Sequence, residues 1–424
     1  MSRSGIRISV IFLLAAVFCG LSGAQDIRID VTKQAFRKLA VAVPDFRGDA
    51  ELGAEAAGVI SYDLEFSGYF EPADNRDFIR EAAERGLDFS EWRAVGAEYL
   101  VWGAVEREEG AVALECRLFD VGSGREVLGR RYRGTAGQLR DMSHRFSDEI
   151  VKALTGQEGI AGSKILFVSS ASGSKEIWMM DYDGHNPARV TRDNSLAIVP
   201  SWIPGPGRRI SFTSYRENNP DFYVMDLNTG RREMLLSFSG LNYNASWAPD
   251  GRRAAVTLTK DGQADIYIID DAGRVQRRLT SSRAVDCSPA WSPCGKYIAF
   301  NSGRMGGPHI FIMDASGRNV RRITSSGNNG SPQWSPDGST ILFTSRRGGK
   351  FDVFTVNADG TGERQITQGP GNNENASFSP DGRHIAYSST RDGGRNIYVA
   401  GADGSGARRL TFLSGSSEFP AWSD

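Results

Sequence analysis

The sequence predicts a six-bladed β-propeller preceded by a small α/β domain. Three observations carry that prediction: an aromatic residue that recurs with a period in the mid-forties, the same turn chemistry behind each recurrence, and a preceding segment that mixes helical and strand patterns instead of repeating. Charged residues make up 24% and hydrophobic residues 40% of the 424 positions, enough apolar chemistry for sizeable cores and too little charge for a disordered chain.

The chain opens with Arg3 and Arg7, runs apolar from Ile8 to Phe18 and reaches the small residues Ser22, Gly23 and Ala24. That order reads as a secretory signal peptide over residues 1–24. Its apolar stretch falls well short of the roughly 20 residues that span a bilayer. Lipidation at Cys19 is disfavoured by the bulky Phe18 before it. Losing Arg3 and Arg7 moves the formal net charge from −1 to −3. So small an imbalance gives no electrostatic reason to expect nucleic acid or an anionic membrane surface as partner.

An α/β domain is expected over 25–158. Residues 38–43 read as a strand ended by Pro44 and residues 51–68 as an amphipathic helix; residues 99–103, 111–119 and 126–132 alternate as strands, and 136–154 reads as a second long helix. Residues 156–162 form the expected linker.

The propeller is expected over 159–424. Trp202, Trp247, Trp291, Trp334, Phe378 and Trp422 are separated by 45, 44, 43, 44 and 44 residues, the spacing of four-stranded blades. Trp247-Ala-Pro-Asp-Gly251, Trp334-Ser-Pro-Asp-Gly338 and Phe378-Ser-Pro-Asp-Gly382 each lead into an apolar strand. Proline fixes φ, aspartate bonds its own turn and glycine accepts positive φ, so strand, tight turn, strand follows. A third strand comes next, and a fourth ends in Arg-Leu-Thr or a close variant at 278–280, 322–324, 365–367 and 409–411. Second strands begin near Ile165, Ile210, Ala254, Ile298, Ile341 and Ile385. The first has no aromatic strand before it and Trp422 has no second strand after it, so the C-terminal strand is expected to complete the first blade and close the ring.

Catalytic constellations are sparse. His144, His185, His309 and His384 lie in separate segments without zinc-site spacing and read as surface polar positions. Neither a Gly-x-Ser-x-Gly elbow nor a phosphate-binding loop of the Walker type occurs. Asp226, Asp270, Asp314 and Asp359 recur at equivalent glycine turns, where an aspartate ordinarily caps its own backbone and does not hold calcium. Cys287 and Cys294 flank about 20 Å of extended chain, too far for a disulfide. No cofactor and no metal are expected. The aromatic series itself reads as packing between blades.

The segments entering the innermost strands line one mouth of the central channel. They include Leu241, Asn242, Tyr243, Asn244, Asp286, Cys287, Asn328, Asn329, Asn373, Glu374 and Glu418. Asparagines with an aromatic and a few acids suit hydrogen bonding to an inserted peptide or protein, while asparagine serving only turn geometry is the alternative. A propeller hydrolase or lactonase with a metal at this mouth is the competing function class, and the scattered Asp286, Glu374 and Glu418 are what it would have to use.

Taken together, the leader, the start Gln25, Asp26, Ile27, Arg28, Ile29, Asp30, the α/β domain, the six repeats and the ending Phe419-Pro-Ala-Trp-Ser423 resemble the TolB family, the periplasmic propeller component of the Tol-Pal system of Gram-negative bacteria. The resemblance implies a periplasmic, non-enzymatic and monomeric protein. It implies binding of a Pal-like peptidoglycan-associated lipoprotein at the mouth, with Leu241, Asn244 and Cys287 at the family's contact positions. It also implies binding of a TolA-like inner-membrane protein through residues 25–30.

Overall fold

The computed structural model describes residues 37–73 and 76–423. The predicted leader and the segment 25–30 lie outside them.

The first domain is built from β1 (Leu39–Ala42), β2 (Arg47–Gly48), α1 (Ala50–Ser67), β3 (Phe70–Pro72), α2 (Arg76–Arg85), α3 (Phe89–Ala94), β4 (Tyr99–Glu108), β5 (Ala111–Asp120), β6 (Arg125–Gly134) and α4 (Leu139–Thr155). One sheet runs β3-β1-β4-β5-β6, with β2 beside β4. Asp49 caps α1 by accepting the Leu52 N–H at 3.0 Å, and Gly68 ends the helix at φ 76°, a left-handed position open to glycine at little cost. The apolar stripes of α1 and α4, including Ile60, Leu64, Phe146 and Ile150, pack with Val101, Leu114 and Leu118 on one face of the sheet. The sequence reading shortened β4 to β6 and passed over residues 76–94. There α2 is mostly charged, with Ile79 and Ala82 as its buried residues, and α3 is only six residues long; yet its Trp92 is fully buried against Leu100 and Phe119 on the other face.

Six four-stranded sheets follow. Blade 1 joins the last strand, Ser417–Trp422, to β7 (Lys164–Ser169), β8 (Glu176–Asp181) and β9 (Ala188–Arg189). The last strand pairs antiparallel with β7, Ser417 opposite Ser169 and Trp422 opposite Ile165. The ring is therefore closed as expected. Trp247, Trp291 and Trp422 are buried at 6%, 7% and 6% exposure, whereas Trp202 and Trp334 are half-buried. The indole N–H groups of Trp202 and Trp334 donate to the carbonyls of Ala421 and Ala290 in the preceding blade, both at 3.0 Å. These side chains stitch blade to blade while filling the space between them.

The Arg-Leu-Thr endings acquire a reason. The hydroxyls of Thr191, Thr280, Thr324, Thr367 and Thr411 each accept a backbone N–H from the third strand of their own blade, at Ile177, Ile266, Ile310, Val353 and Ile397. The fourth strands are short, down to two residues, and the threonine anchors them where the ladder stops. Asp226, Asp270, Asp314 and Asp359 accept hydrogen bonds from their own turns, which hold these carboxyls below the ordinary carboxylate range.

Candidate functional site

Each innermost strand carries the same irregularity. Val199, Asn244, Ser288, Ser331, Asn375 and Phe419 stand three residues before the blade aromatic, and all adopt positive φ between 47° and 54°. Each sits at a register break, for example between Tyr243 and Ser246 or between Glu418 and Ala421. These are β-bulges, which re-aim the strand and free backbone groups from the ladder. The following residue is proline at 200, 289, 332 and 420, where no N–H is lost. Together the bulges line a narrow channel section of about 160 Å³, which shares residues with a wider funnel of about 440 Å³ walled by the aromatic series and by Pro204, Pro249, Pro293, Pro336 and Pro380. A β-branched Val and an aromatic Phe in the left-handed region each store about 1–3 kcal/mol of strain, a feature that clusters at functional sites.

The structure divides the mouth candidates by their offset from the blade aromatic. Asn242, Asp286, Asn329 and Asn373, five residues before it, are buried; the three asparagines tie their strand to the end of the preceding blade, and Asp286 bonds within its own blade. Asn242 donates to the carbonyls of Phe238 at 2.8 Å and Pro220 at 3.1 Å; Asn373 accepts from Ser389 and donates to Asp352, both at 2.8 Å; Asn329 donates to the Ser326 carbonyl at 2.9 Å; Asp286 accepts from Arg304 at 2.9 Å. They hold the loops and do not offer their side chains to a partner. The half-buried Tyr243, Asn244, Cys287 and Glu374 and the exposed Leu241 and Asn328 face the mouth region instead. Burial pushes the Tyr243 hydroxyl up to about 12 and raises the Cys287 thiol above its usual range.

The acids at the mouth are already paired. Arg395 reaches Glu374 at 2.8 Å and Glu418 at 3.5 Å, and Lys175 also holds Glu418. In the loops of blades 2 to 4, Phe238, Leu241, Val285 and Met305 expose 36%, 37%, 52% and 61% of their surface. The Gly303 N–H donates to the Val285 carbonyl, which sets the Met305 loop beside Val285. A neutralised, partly apolar rim surrounds a polar opening. Sequence reading missed Val199, Ser288, Ser331, Phe419 and Arg395; the fixed offset of three from the blade aromatic was the available signal.

A second polar cluster lies where the two domains meet. Asp63 of α1 accepts from His144 of α4 at 2.9 Å and from the Tyr182 hydroxyl at 2.6 Å. Asp183 pairs with Arg140, and Lys164 bridges Asp141 at 3.1 Å and Asp181 at 2.6 Å. His144 and His309 are thus buried, at 1% and 9% exposure, and not surface residues as read from the sequence; His384 is half-buried and stacks on Phe66 at 4.0 Å, while His185 is exposed. A lone histidine carries no periodicity by which burial could be read.

Two family models match this chain: the TolB beta propeller domain over residues 151–423 and the TolB amino-terminal domain over residues 27–127. The chain belongs to the TolB family. The Tol-Pal system protein TolB of Desulfosudis oleivorans is 38% identical over 260 residues, covering 59% of this chain and 58% of that protein. The protein of the same name from Paramagnetospirillum magneticum is 34% identical over 57% of each chain. The matched stretches thus span a little under three-fifths of these relatives. The crystal structure of TolB from Acinetobacter baumannii superposes with a TM-score of 0.78 at 26% identity, covering 91% of this chain and 96% of that one.

Within this TolB-family fold, a metal would find few free ligands. Among the described residues, one group of donors is close enough together, that of His144, Asp181 and Asp183, and there Lys164 and Arg140 already occupy the carboxylates. Of the cysteines, Cys116 is buried in the first sheet, Cys287 is half-buried at the mouth and Cys294 is exposed in a turn, its thiol lowered chiefly by the Ser292 hydroxyl. Among the described residues no helix is long and apolar enough to cross a membrane.

Proposed function

We propose that this TolB-family chain is a non-enzymatic, periplasmic and monomeric binding component of a Tol-Pal system. In this reading the propeller mouth takes a Pal-like lipoprotein and residues 25–30 take a TolA-like inner-membrane protein. The chain couples the two for envelope integrity and outer-membrane invagination at division. Its relatives' names support the system, and the mouth supports the mode. The observation that carries the proposal is the mouth's pairing state: Glu374, Glu418 and Asp286 are each held by Arg395, Lys175 or Arg304, so the opening offers hydrogen-bonding and apolar surface instead of free acids or metal ligands. That pairing also disfavours a metal-dependent hydrolase or lactonase.

The test is calorimetric titration of the chain lacking residues 1–24 with the soluble domain of the Pal-like lipoprotein from the same organism. Binding weakened at least about tenfold by Asn244→Trp or Cys287→Trp, roughly 1.4 kcal/mol, supports the site. A folded protein that shows no binding at micromolar concentrations refutes the assignment. Deleting residues 25–32 should abolish TolA-like binding and leave thermal melting of the propeller unchanged.

A further inference from the structure

The joint between the domains contains an unfinished bridge. The Nδ1–H of His144 donates to Asp63, while its Nε2 is buried, has no hydrogen-bond partner and lies 4.0 Å from Oδ2 of Asp183. Asp63 and His144 belong to the first domain; Tyr182 and Asp183 belong to the turn after β8 in the propeller. With a neutral ring, a bare nitrogen lone pair faces a carboxylate, an arrangement that costs free energy in a buried setting. With a proton on Nε2, the same ring becomes a two-ended donor between carboxylates of the two domains.

We propose that this joint is a proton-operated latch, in which protonation of His144 Nε2 tightens α1 and α4 onto the propeller through Asp63 and Asp183, and loss of that proton loosens the joint to what the Tyr182–Asp63, Arg140–Asp183 and Lys164–Asp141 links hold. The inference goes beyond partner binding and is tested without any partner.

The other groups facing the ring leave it as the titrating element. From α1, the Tyr62 hydroxyl is pushed up to about 12 by burial; from blade 1, burial raises Tyr182 far higher, so both stay neutral. From α4 and β7, Arg140 pairs with Asp183, and Lys164 pairs with Asp141 and Asp181. From blade 6, Arg408 lies over Tyr62 at 4.5 Å and Arg383 over Tyr69 at 4.2 Å, while burial lowers His384 to about 4 and keeps it neutral against Phe66. Burial opposes charge on His144 itself, but the hydrogen bond and charge of Asp63, with Asp183 behind it, outweigh that and raise it above 6.5. A raised base stabilises the closed joint fully below 6.5, and this contribution is lost as pH rises through its folded-state value. Asp148, which clamps the linker by accepting from Ala161 N–H at 2.7 Å and Gly162 N–H at 2.9 Å, is raised from 3.8 to about 6 by burial. Its closed-state contribution falls as pH climbs from 3.8 to about 6, the same direction at lower pH.

The experiment uses the chain lacking residues 1–24 with donor and acceptor dyes on Cys294 and on Glu106→Cys, in a Cys287→Ser background, and reads the interdomain distance distribution from pH 5.5 to 8.5. The wild-type joint should be narrow at pH 5.5 and broaden above 6.5, with the closed-to-open ratio falling by up to about tenfold per pH unit. His144→Gln should be broad already at pH 5.5 and lose the response above 6.5. If that variant fails to fold, Asp183→Asn, which keeps His144 and its Asp63 bond, should flatten the same response with circular dichroism unchanged. A wild-type distribution that is identical at pH 6.5 and 8.5, or a response above pH 6.5 that survives in His144→Gln or in folded Asp183→Asn, overturns the latch.

Discussion

Truncating Trp422 to alanine tests ring closure most directly. Trp422 is buried at 6% exposure and packs with Ile165, Phe167 and Tyr182, and its indole N–H donates to the Ser163 hydroxyl at 2.8 Å. Its backbone N–H donates to Ser377 in blade 6 at 3.0 Å, so one residue joins the first blade to the last. Removing a buried tryptophan ordinarily costs about 3–5 kcal/mol, transfer and cavity together. The Ser163 hydroxyl also donates to the Ile160 carbonyl, so it is not left unsatisfied, and about 4 kcal/mol is the fitting value here. At about 2–4 °C per kcal/mol, the variant should melt roughly 8–16 °C lower. Urea unfolding followed by far-ultraviolet circular dichroism gives the free energy directly, and deletion of residues 419–424 in the same assay should remove the cooperative propeller transition. A loss below about 1 kcal/mol for Trp422→Ala would refute the claim that the last strand is an integral part of blade 1, because surface substitutions stay within about 0.5 kcal/mol.

Three further outcomes follow from the mouth and the turns. Val199→Asn should stabilise the chain by about 1 kcal/mol in the same unfolding assay, since asparagine adopts the left-handed conformation that β-branched valine resists. Asn373→Ala should cost about 1–3 kcal/mol by leaving Asp352 and Ser389 short of a partner; an effect within about 0.5 kcal/mol would show that its hydrogen bonds do not hold the loop. A thiol reagent at pH 7.5 should modify Cys294 first, Cys287 more slowly and Cys116 only on unfolding, read by mass spectrometry of timed samples.

What the sequence disclosed, and what it hid, follows from how each signal is written into a chain. Spacing is a one-dimensional quantity, so the aromatic series from Trp202 to Trp422 exposed blade number and closure without any knowledge of contacts. Burial of a single polar residue is three-dimensional. Asn242 and Asn244 are two positions apart and chemically identical, yet one is an internal strut and the other lies in a bulge at the channel. The same blindness concealed His144, whose surroundings come from α1 and from blade 1. Helix α2 escaped because its buried face is a few small and aliphatic side chains among charges, too thin a stripe for a period to show.

Closure by the final strand has a consequence in time. The hydrogen bond from Trp422 to Ser163 spans 259 positions, so the chain that leaves a ribosome offers β7 an open edge until the six-residue last strand is available. Long-range pairing of this kind slows folding, and an unpaired strand edge invites association with other chains. The β4–β5 and β5–β6 hairpins of the first domain, by contrast, are local and can form early. Maturation of this molecule is thus a race between its own tail and its neighbours for the same strand, and the winner decides whether a ring or an aggregate results.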